Sequence, residues 1–400
     1  MNTIPTTKPR VSGLGPQLWL AIIGIMAIGV MFVYSATMAN ESTNISAWYR
    51  QYYFRQIVFY LAGGAVAFVI CLVDYRRIVR WSLVFYWFAI ILLILVLIPH
   101  IGKVSGGGRR WIDLRVFQLQ PSEFAKVAFI LALAHFLGRP VEELRSPPVF
   151  FKALGLAVLP FGLIMIEPDI GSAFMFLPIC LVMLHAAGAP FRFVGRLVAL
   201  GGASVALVVA VVLFAPAKWQ SKLPLYPRER IWVYFGRDFE MPDASVAERL
   251  KVQRDKRYNS EQALISVGSG GFTGKGWRQG TQNALGFLPR AVAHNDFIFS
   301  VIAEEMGFVG SVIVITLYTV VLFTGIRIAD EARDRLGRLL AVGVVTMLFS
   351  HVFINIGMNI CVMPVVGVPL PLLSYGGSSV LCSLIALGIL HNIHIYRRSY

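Results

Sequence analysis

Apolar residues along this chain fall into ten runs long enough to cross a bilayer, separated by short polar connections and one long one. A hydrocarbon core about 30 Å thick takes roughly 20 residues of helix. Candidate spans lie at 17–39, 54–73, 81–101, 121–138, 150–167, 171–188, 193–215, 297–324, 338–361 and 374–395. The first follows Lys8 and Arg10 as the core of a signal sequence would. Its apolar stretch exceeds the roughly 7 to 15 residues of such a core and no A-x-A site follows, so it reads as an uncleaved first helix. The pattern predicts an all-α integral membrane protein of about ten transmembrane helices with one long extracytoplasmic loop. The membrane domain covers 17–395 with the loop at 216–296 inside it, flanked by cytoplasmic tails at 1–16 and 396–400.

Composition narrows the class further. The chain is 57% hydrophobic and 14% charged, against roughly 45–50% and about 25% in soluble proteins. A mean hydropathy of +0.69 excludes a disordered chain and argues against a soluble enzyme on a single anchor. The net charge of +15 raises nucleic acid as a partner. The basic residues flank apolar runs instead of forming a stripe with interleaved aromatics, so no nucleic acid is expected. Sixteen of them lie in short connections on the side of the N-terminus and seven on the other, which places both termini in the cytoplasm by the positive-inside rule. The remaining thirteen lie in the long loop, outside. Within that loop, 244–267 has the composition of an amphipathic helix on the membrane surface, with Leu250, Val252, Leu264 and Ile265 toward lipid. Cys71, Cys180, Cys361 and Cys382 show no CxxC or Cys/His spacing, so a metal site or disulfide framework has little support.

Ionisable groups inside a membrane are costly and mark function by default. Glu123 and Lys126, three residues apart on one helical face, either form an ion pair that fixes packing or present Lys126 to an anionic ligand in an outward cavity. Glu167, Pro168 and Asp169 interrupt the apolar pattern at the outer face, as a tight turn or with Asp169 lining the same cavity. Asp296 stands where the long loop meets the eighth span, a position suited to capping and equally to catalysis. Glu304 and Glu305 lie deeper and are expected to neutralise basic groups inside the bundle. The stretch GSGGFTGKGWRQGTQ at 268–282 fails the phosphate-loop pattern, which needs Gly at 269 and Ser or Thr at 276 where this chain has Ser269 and Gly276. Its glycines, with Lys275 and Arg278, still suit a diphosphate or a plain turn. The segment MPVVGVPLPLLSYGGSS at 363–379 is irregular backbone between two spans, tolerated where it is buried in protein or lines a cavity. His135 and His351 lie within spans with no partner at ligand spacing and read as packed structural residues.

Several strings together resemble the SEDS family (shape, elongation, division and sporulation): GRRWIDL at 108–114, QPSEFAKVA at 120–128, EPDIGSA at 167–173, GSGGFTGKGWRQGTQ, FLPRAVAHNDFIFSVIAEEMG at 287–307, NIGM at 355–358 and PVVGVPLPLLSYGGSS. GKGWRQGTQ and VVGVPLP are closer to its rod-shape branch than to its division branch. The link PRAVAHND is longer than the family's usual one, Asn295 stands where Thr is frequent, and 228–262 is divergent and highly charged.

The resemblance implies a peptidoglycan glycosyltransferase that polymerises lipid II, an undecaprenyl-diphosphate-linked disaccharide peptide, on the outer face of the bacterial cytoplasmic membrane. It implies a class B penicillin-binding protein transpeptidase and membrane proteins of the elongation complex as partners. In that setting Asp296 is the expected general base of an inverting transfer. Arg109, Arg110, Lys126, Lys275 and Arg278 are candidates for the diphosphates, with Glu123, Asp169 and Ser374 completing the substrate-binding set. No cofactor is certain, and a divalent cation, magnesium or manganese, is the one considered. The competing readings are a flippase for lipid-linked precursors, a division member of the same family, and a non-catalytic scaffold.

Overall fold

The computed structural model describes residues 14–38, 48–105, 108–115, 117–140, 143, 147–216, 219, 225–236, 246–288 and 290–397. In chain order the helices are α1 Leu14–Met38, α2 Tyr52–Leu72, α3 Tyr75–Arg80, α4 Ser82–Leu97, α5 Pro121–Leu137, α6 Pro147–Ile166, α7 Ile170–Ala186, α8 Phe191–Phe214, α9 Leu225–Phe235, α10 Val246–Ser269, α11 Thr281–Ala284, α12 Arg290–Ala293, α13 Ile298–Asp330, α14 Arg335–Asn359 and α15 Gly377–Tyr396. Each of the ten expected spans coincides with one of them. Seven are long and apolar enough to cross a membrane unaided, while Ser82–Leu97 and Ile170–Ala186 are shorter apolar helices. The tenth, α5, carries Glu123 and Lys126 in its first two turns.

The fourth helix ends four residues before the expected 101, because Pro99 biases Ile98 to extended backbone. Beyond it the chain forms a small antiparallel sheet, absent from the all-helical expectation. Strands β1 Gly102–Ser105, β2 Gly108–Asp113 and β3 Gln118–Leu119 run in that order, with Gly102 opposite Ile112 and Ile112 opposite Leu119. The sheet delivers the chain from the end of α4 to the start of α5.

The bundle is tied by seams of apolar contact and by single buried amides. α15 packs along α2, α1 along α13, and α14 against α13, α7 and α5. Asn392 on α15 donates to the carbonyls of Ile70 and Val73, each at 2.6 Å, and accepts from the Tyr75 backbone N–H, which closes the C-terminal end of α2. The beginning and end of the described chain meet: Gly15 lies against the His391 and His394 rings, so both ends occupy one face of the bundle.

In the long loop, the helix expected over 244–267 forms as Val246–Ser269 and packs on α13 and α14. Ala263 and Ser266 face inward while Leu264 and Ile265 are exposed; the side chains of Leu250 and Val252 lie outside the described set. The loop is more than a surface appendage, since α9 seats Trp232 against α8, where the indole N–H donates to Val212 O at 3.2 Å.

The eighth span is broken. Gly307 has φ 66° and ψ −157°, a conformation that a side chain disfavours, and it divides α13 into an outer piece and a long inner one. Backbone of the Gly-rich loop fills the gap. Lys275 and Gly276 N–H donate to the carbonyls of Glu304 and Glu305, and Phe308 and Val309 N–H donate to the carbonyls of Gly271 and Phe272. The orphan groups that a helix break creates are thereby satisfied.

Candidate active site

Asp296 sits at the junction between the long loop and α13, and its position is fixed through its backbone. The side-chain amides of Asn355 and Asn359, one turn apart on α14, both donate to the Asp296 carbonyl at 3.0 Å. Asn355 also donates to Val368 O at 2.7 Å, while the Ser300 hydroxyl donates to Asn359 at 2.6 Å. On the other side, Ser374 donates to Asn295 O at 2.5 Å and the Tyr375 N–H donates to His294 O. The residues flanking Asp296 are thus held by two segments, α14 and the irregular stretch before α15. Its carboxyl lies against Gly367, where φ is 72° and an added Cβ would stand 3.3 Å from Oδ2.

The carboxyl keeps a share of solvent access although protein surrounds it. Burial raises it from the ordinary 3.8 to about 6, Asp169 adds to the rise, and the positive charges of Arg230 and Arg110 oppose it. A carboxylate near 6 is largely ionised at neutral pH and close enough to it to accept a proton usefully.

The second wall is the turn between α6 and α7. Asp169 caps α7, accepting from the Ser172 N–H at 3.2 Å, and its other oxygen accepts from Gln120 at 3.1 Å. Glu167 is buried with neither carboxyl oxygen hydrogen-bonded. Burial, then the Asp169 charge, push it up to about 9 against the pull of Arg110, so it is a neutral acid at pH 7. From β2, the Arg110 guanidinium donates to the carbonyls of Glu167 and Pro168, which sets that guanidinium over the turn. Arg109 points elsewhere, toward Leu97 O at 3.4 Å.

One turn into α5, Lys126 is 1% exposed and its ammonium has three partners: Glu123 at 2.7 Å, His351 Nε2 at 2.8 Å and the Met175 sulfur at 3.5 Å. Because an ammonium only donates, Nε2 must be the bare nitrogen and Nδ1–H donates to Pro369 O at 3.2 Å. His351 therefore has the partner that its sequence spacing did not reveal, and it links the Glu123–Lys126 pair to the 363–371 segment that flanks Asp296. In this arrangement an anion reaches Lys126 only by displacing one of those partners.

The Gly-rich loop is a separate assembly. Lys275 donates to Glu304 at 2.6 Å, Thr281 at 2.7 Å and Ser269 at 2.9 Å. Glu305 accepts from Ser35 at 2.6 Å and from the Arg278 N–H at 2.9 Å, while the Arg278 guanidinium stands over Tyr34. Glu304 and Glu305 do turn inward, with Glu304 paired to a basic side chain.

Of the sequence candidates, Asp169 and Arg110 act on the Asp296 carboxyl through their charges, Ser374 holds the adjacent Asn295 carbonyl, Glu123 and Lys126 reach the flanking segment through His351 and Pro369, and Lys275 and Arg278 lie in the helix break. Asn355, Asn359, Gln120 and Arg230 were given no role from the sequence, and His351 was read as a packed structural residue. The first two carried a signal, two asparagines four apart within an apolar span. Among the described residues no three carboxylate, imidazole or thiol groups converge as a ligand set.

With that geometry in place, comparison with known proteins decides the family. A family model for FtsW, RodA and SpoVE, described as cell cycle protein, matches residues 16–399. The chain belongs to the FtsW/RodA/SpoVE family. It is 33% identical over 387 residues to the peptidoglycan glycosyltransferase MrdB of Escherichia coli, covering 96% of this chain and 94% of that one. It is 37% identical to stage V sporulation protein E of Bacillus subtilis, over 96% and 98% of the two chains. Among solved structures it resembles a chain described under structural coordination of polymerization and crosslinking by a peptidoglycan synthase complex, with TM-score 0.73 and 28% identity over 96% and 98%. The rod shape determining protein RodA of Thermus thermophilus matches with TM-score 0.64 and 27% identity over 96% and 97%. This FtsW/RodA/SpoVE member is a membrane enzyme of the peptidoglycan glycosyltransferase class.

Proposed function

We propose that the chain polymerises lipid II into glycan at the outer face of the cytoplasmic membrane, with Asp296 as general base. The observation that carries this reading is the Asp296 recess: a carboxylate near 6, clamped through its backbone by Asn355 and Asn359, and facing cationic groups on two other segments.

The acceptor's 4-hydroxyl oxygen attacks the anomeric carbon of the donor. The carbon–oxygen bond to the diphosphate breaks with its electron pair leaving on the diphosphate, the α linkage becomes β, and Asp296 takes the hydroxyl proton. Arg110 and Arg230, whose charges already act on this recess, stabilise the leaving group, and Ser374 fixes the backbone beside the base. Glu123, Lys126 and His351 hold the 363–371 segment in place. Asp169 holds α5 to α7 through Gln120, and its negative charge raises the proton affinity of Asp296 as the acceptor of the hydroxyl proton.

A role in rod-shape elongation is supported by GKGWRQGTQ and VVGVPLP and by the relatives named MrdB and RodA; proteins named FtsW match at similar identity, for instance 34%. The likeness to a chain of a peptidoglycan synthase complex supports a class B penicillin-binding protein as the crosslinking partner. Cytoplasmic termini follow from the basic residues on the face where the chain's two ends meet.

The test is glycan synthesis from lipid II by the purified chain with a partner that has no polymerase of its own. Asp296→Asn keeps size and polarity but removes the proton acceptor, so the rate should fall roughly 100- to 10,000-fold with lipid II binding retained. Polymer at near the unmutated rate would remove Asp296 as the base, and no polymer from the unmutated complex would favour a transporter.

A further inference from the structure

On the face where the chain's ends meet, a pocket of about 580 Å³ opens between α4, α5, α6 and the start of α14. That is within the roughly 300 to 1,000 Å³ of ligand-binding pockets. Its place on this face follows from Tyr75, which bonds to Asn392 near the end of α15 and to Asp334 at the start of α14. The floor is apolar, built by Leu83, Leu156 and Leu336. The rim carries His135 and Arg139 from the end of α5 and Lys152 from α6, all exposed.

These side chains are poorly matched within the protein. His135 and Lys152 make no hydrogen bond or ion pair among the described residues. Arg139 lies over the Phe136 ring and reaches Glu143 only at 3.9 Å, with both side chains about half exposed. Basic residues commonly flank spans on the cytoplasmic side, but flanking alone does not gather three of them around an apolar hollow. Beside the pocket, Val84 on α4 and Phe151 on α6 present large apolar side chains outward, where the bilayer's hydrocarbon would lie.

We propose that this pocket binds an anionic phospholipid from the adjoining leaflet, its phosphate on Lys152, Arg139 and His135 and the upper part of its chains against Leu83 and Leu156. The charge pattern selects a phosphate with no balancing ammonium, and the apolar floor selects a lipid over a soluble phosphate. The site lies at the opposite end of α5 from Glu123 and Lys126, so it is independent of the reaction assigned to the outer face.

Native mass spectrometry on the full chain in mild detergent, with phosphatidylglycerol or phosphatidylcholine of equal chain length, tests the proposal. One phosphatidylglycerol should be retained in strong preference to phosphatidylcholine. Lys152→Ala should weaken retention about fivefold, and the combined His135→Ala, Arg139→Ala, Lys152→Ala variant about a hundredfold. Arg192→Ala, which removes a basic residue at the start of α8 outside the pocket, should leave retention unchanged. Equal retention of the two lipids, or an equal loss in the Arg192 variant, would overturn the site. Displacement by free glycerol phosphate at concentrations as low as those of the lipid would overturn the lipid as its ligand. If the triple variant loses its thermal transition, Lys152→Glu alone decides, and undiminished retention there counts against the proposal.

Discussion

Two irregular Gly-rich segments enter this helical bundle, and they are built in opposite ways. At 268–282 the charged groups near the break in α13 are met largely within the protein: Lys275 by Glu304, Glu305 by Ser35 and the Arg278 N–H, and the broken helix by the loop's own backbone, with the second Glu304 oxygen buried and unbonded. At 363–377 the segment is held by Asn355, Ser374 and Gln56, by the Arg230 guanidinium on the Val365 carbonyl and by His351 on the Pro369 carbonyl, and the carboxylate beside it is that of Asp296. In the first segment the acids are engaged by the loop itself, whereas in the second the holding groups act on backbone carbonyls and the Asp296 side chain is left for chemistry on the proposed reading.

The contrast breaks most visibly if the sealed segment is opened. Lys275→Ala leaves the Glu304 carboxylate buried without its cation, and stability should fall by about 3 kcal/mol. Thermal unfolding in detergent reads this directly, and Lys275→Arg should recover most of it. A variant that melts normally yet loses polymerisation would instead place Lys275 on the substrate.

At the open segment a neutral deletion should act on rate more than on stability. Asn359→Ala removes one of two donors to the Asp296 carbonyl, with an expected cost of about 1 to 2 kcal/mol that appears as a roughly tenfold fall in kcat with the melting temperature shifted by only a few degrees. A fall in both by the same free energy would reduce the clamp to ordinary packing.

Acidity sharpens the comparison further. Asp296 is raised to about 6, and the base acts only when ionised, so kcat/KM should be level above pH 7 and drop about tenfold per unit below 6. A profile flat to pH 4.5 would separate Asp296 from the rate.

The smallest expected effect has the opposite sign. Glu167, raised from 4.5 to about 9, holds a proton in the folded chain at pH 7 that the unfolded chain releases. Its contribution to stability is full below about 4.5 and is lost as pH rises through about 9. Glu167→Gln keeps the shape without proton uptake and should raise stability by about 1 kcal/mol at about pH 5 and by more as pH rises, with no gain well below pH 4.5. Destabilisation at pH 8 would mean that the site needs the ionised carboxylate.

The helical architecture was legible because its cause is local: long apolar runs have few alternatives, and a helix formed in each of the ten, seven of them long and apolar enough to cross a membrane. The sheet at 102–119 was not, since strands of two to six residues carry too little alternation to stand out beside an apolar run. Asp296, Asp169 and Arg110 were legible as candidates because charge near a membrane is costly. Their grouping was not, because it depends on contacts between residues far apart in the chain. Lys275 shows the limit clearly: a lysine between glycines reads equally as a phosphate ligand or as the partner of a glutamate 29 residues on. His351 shows the converse, a histidine whose partner lies 225 residues away.

The break at Gly307 sets an altitude for the chemistry. The helix runs 33 residues, and the part from Phe308 to Asp330 is already about 34 Å long at roughly 1.5 Å per residue, enough to cross a hydrocarbon slab of about 30 Å unaided. The nine residues from Ile298 to Met306 add about 13 Å beyond it. On the proposed reading this lifts Asp296 toward headgroup level, where a sugar tethered to a lipid through a diphosphate would meet the carboxylate without its polar body being drawn into the oily layer, and where a lengthening polymer would have open water above it.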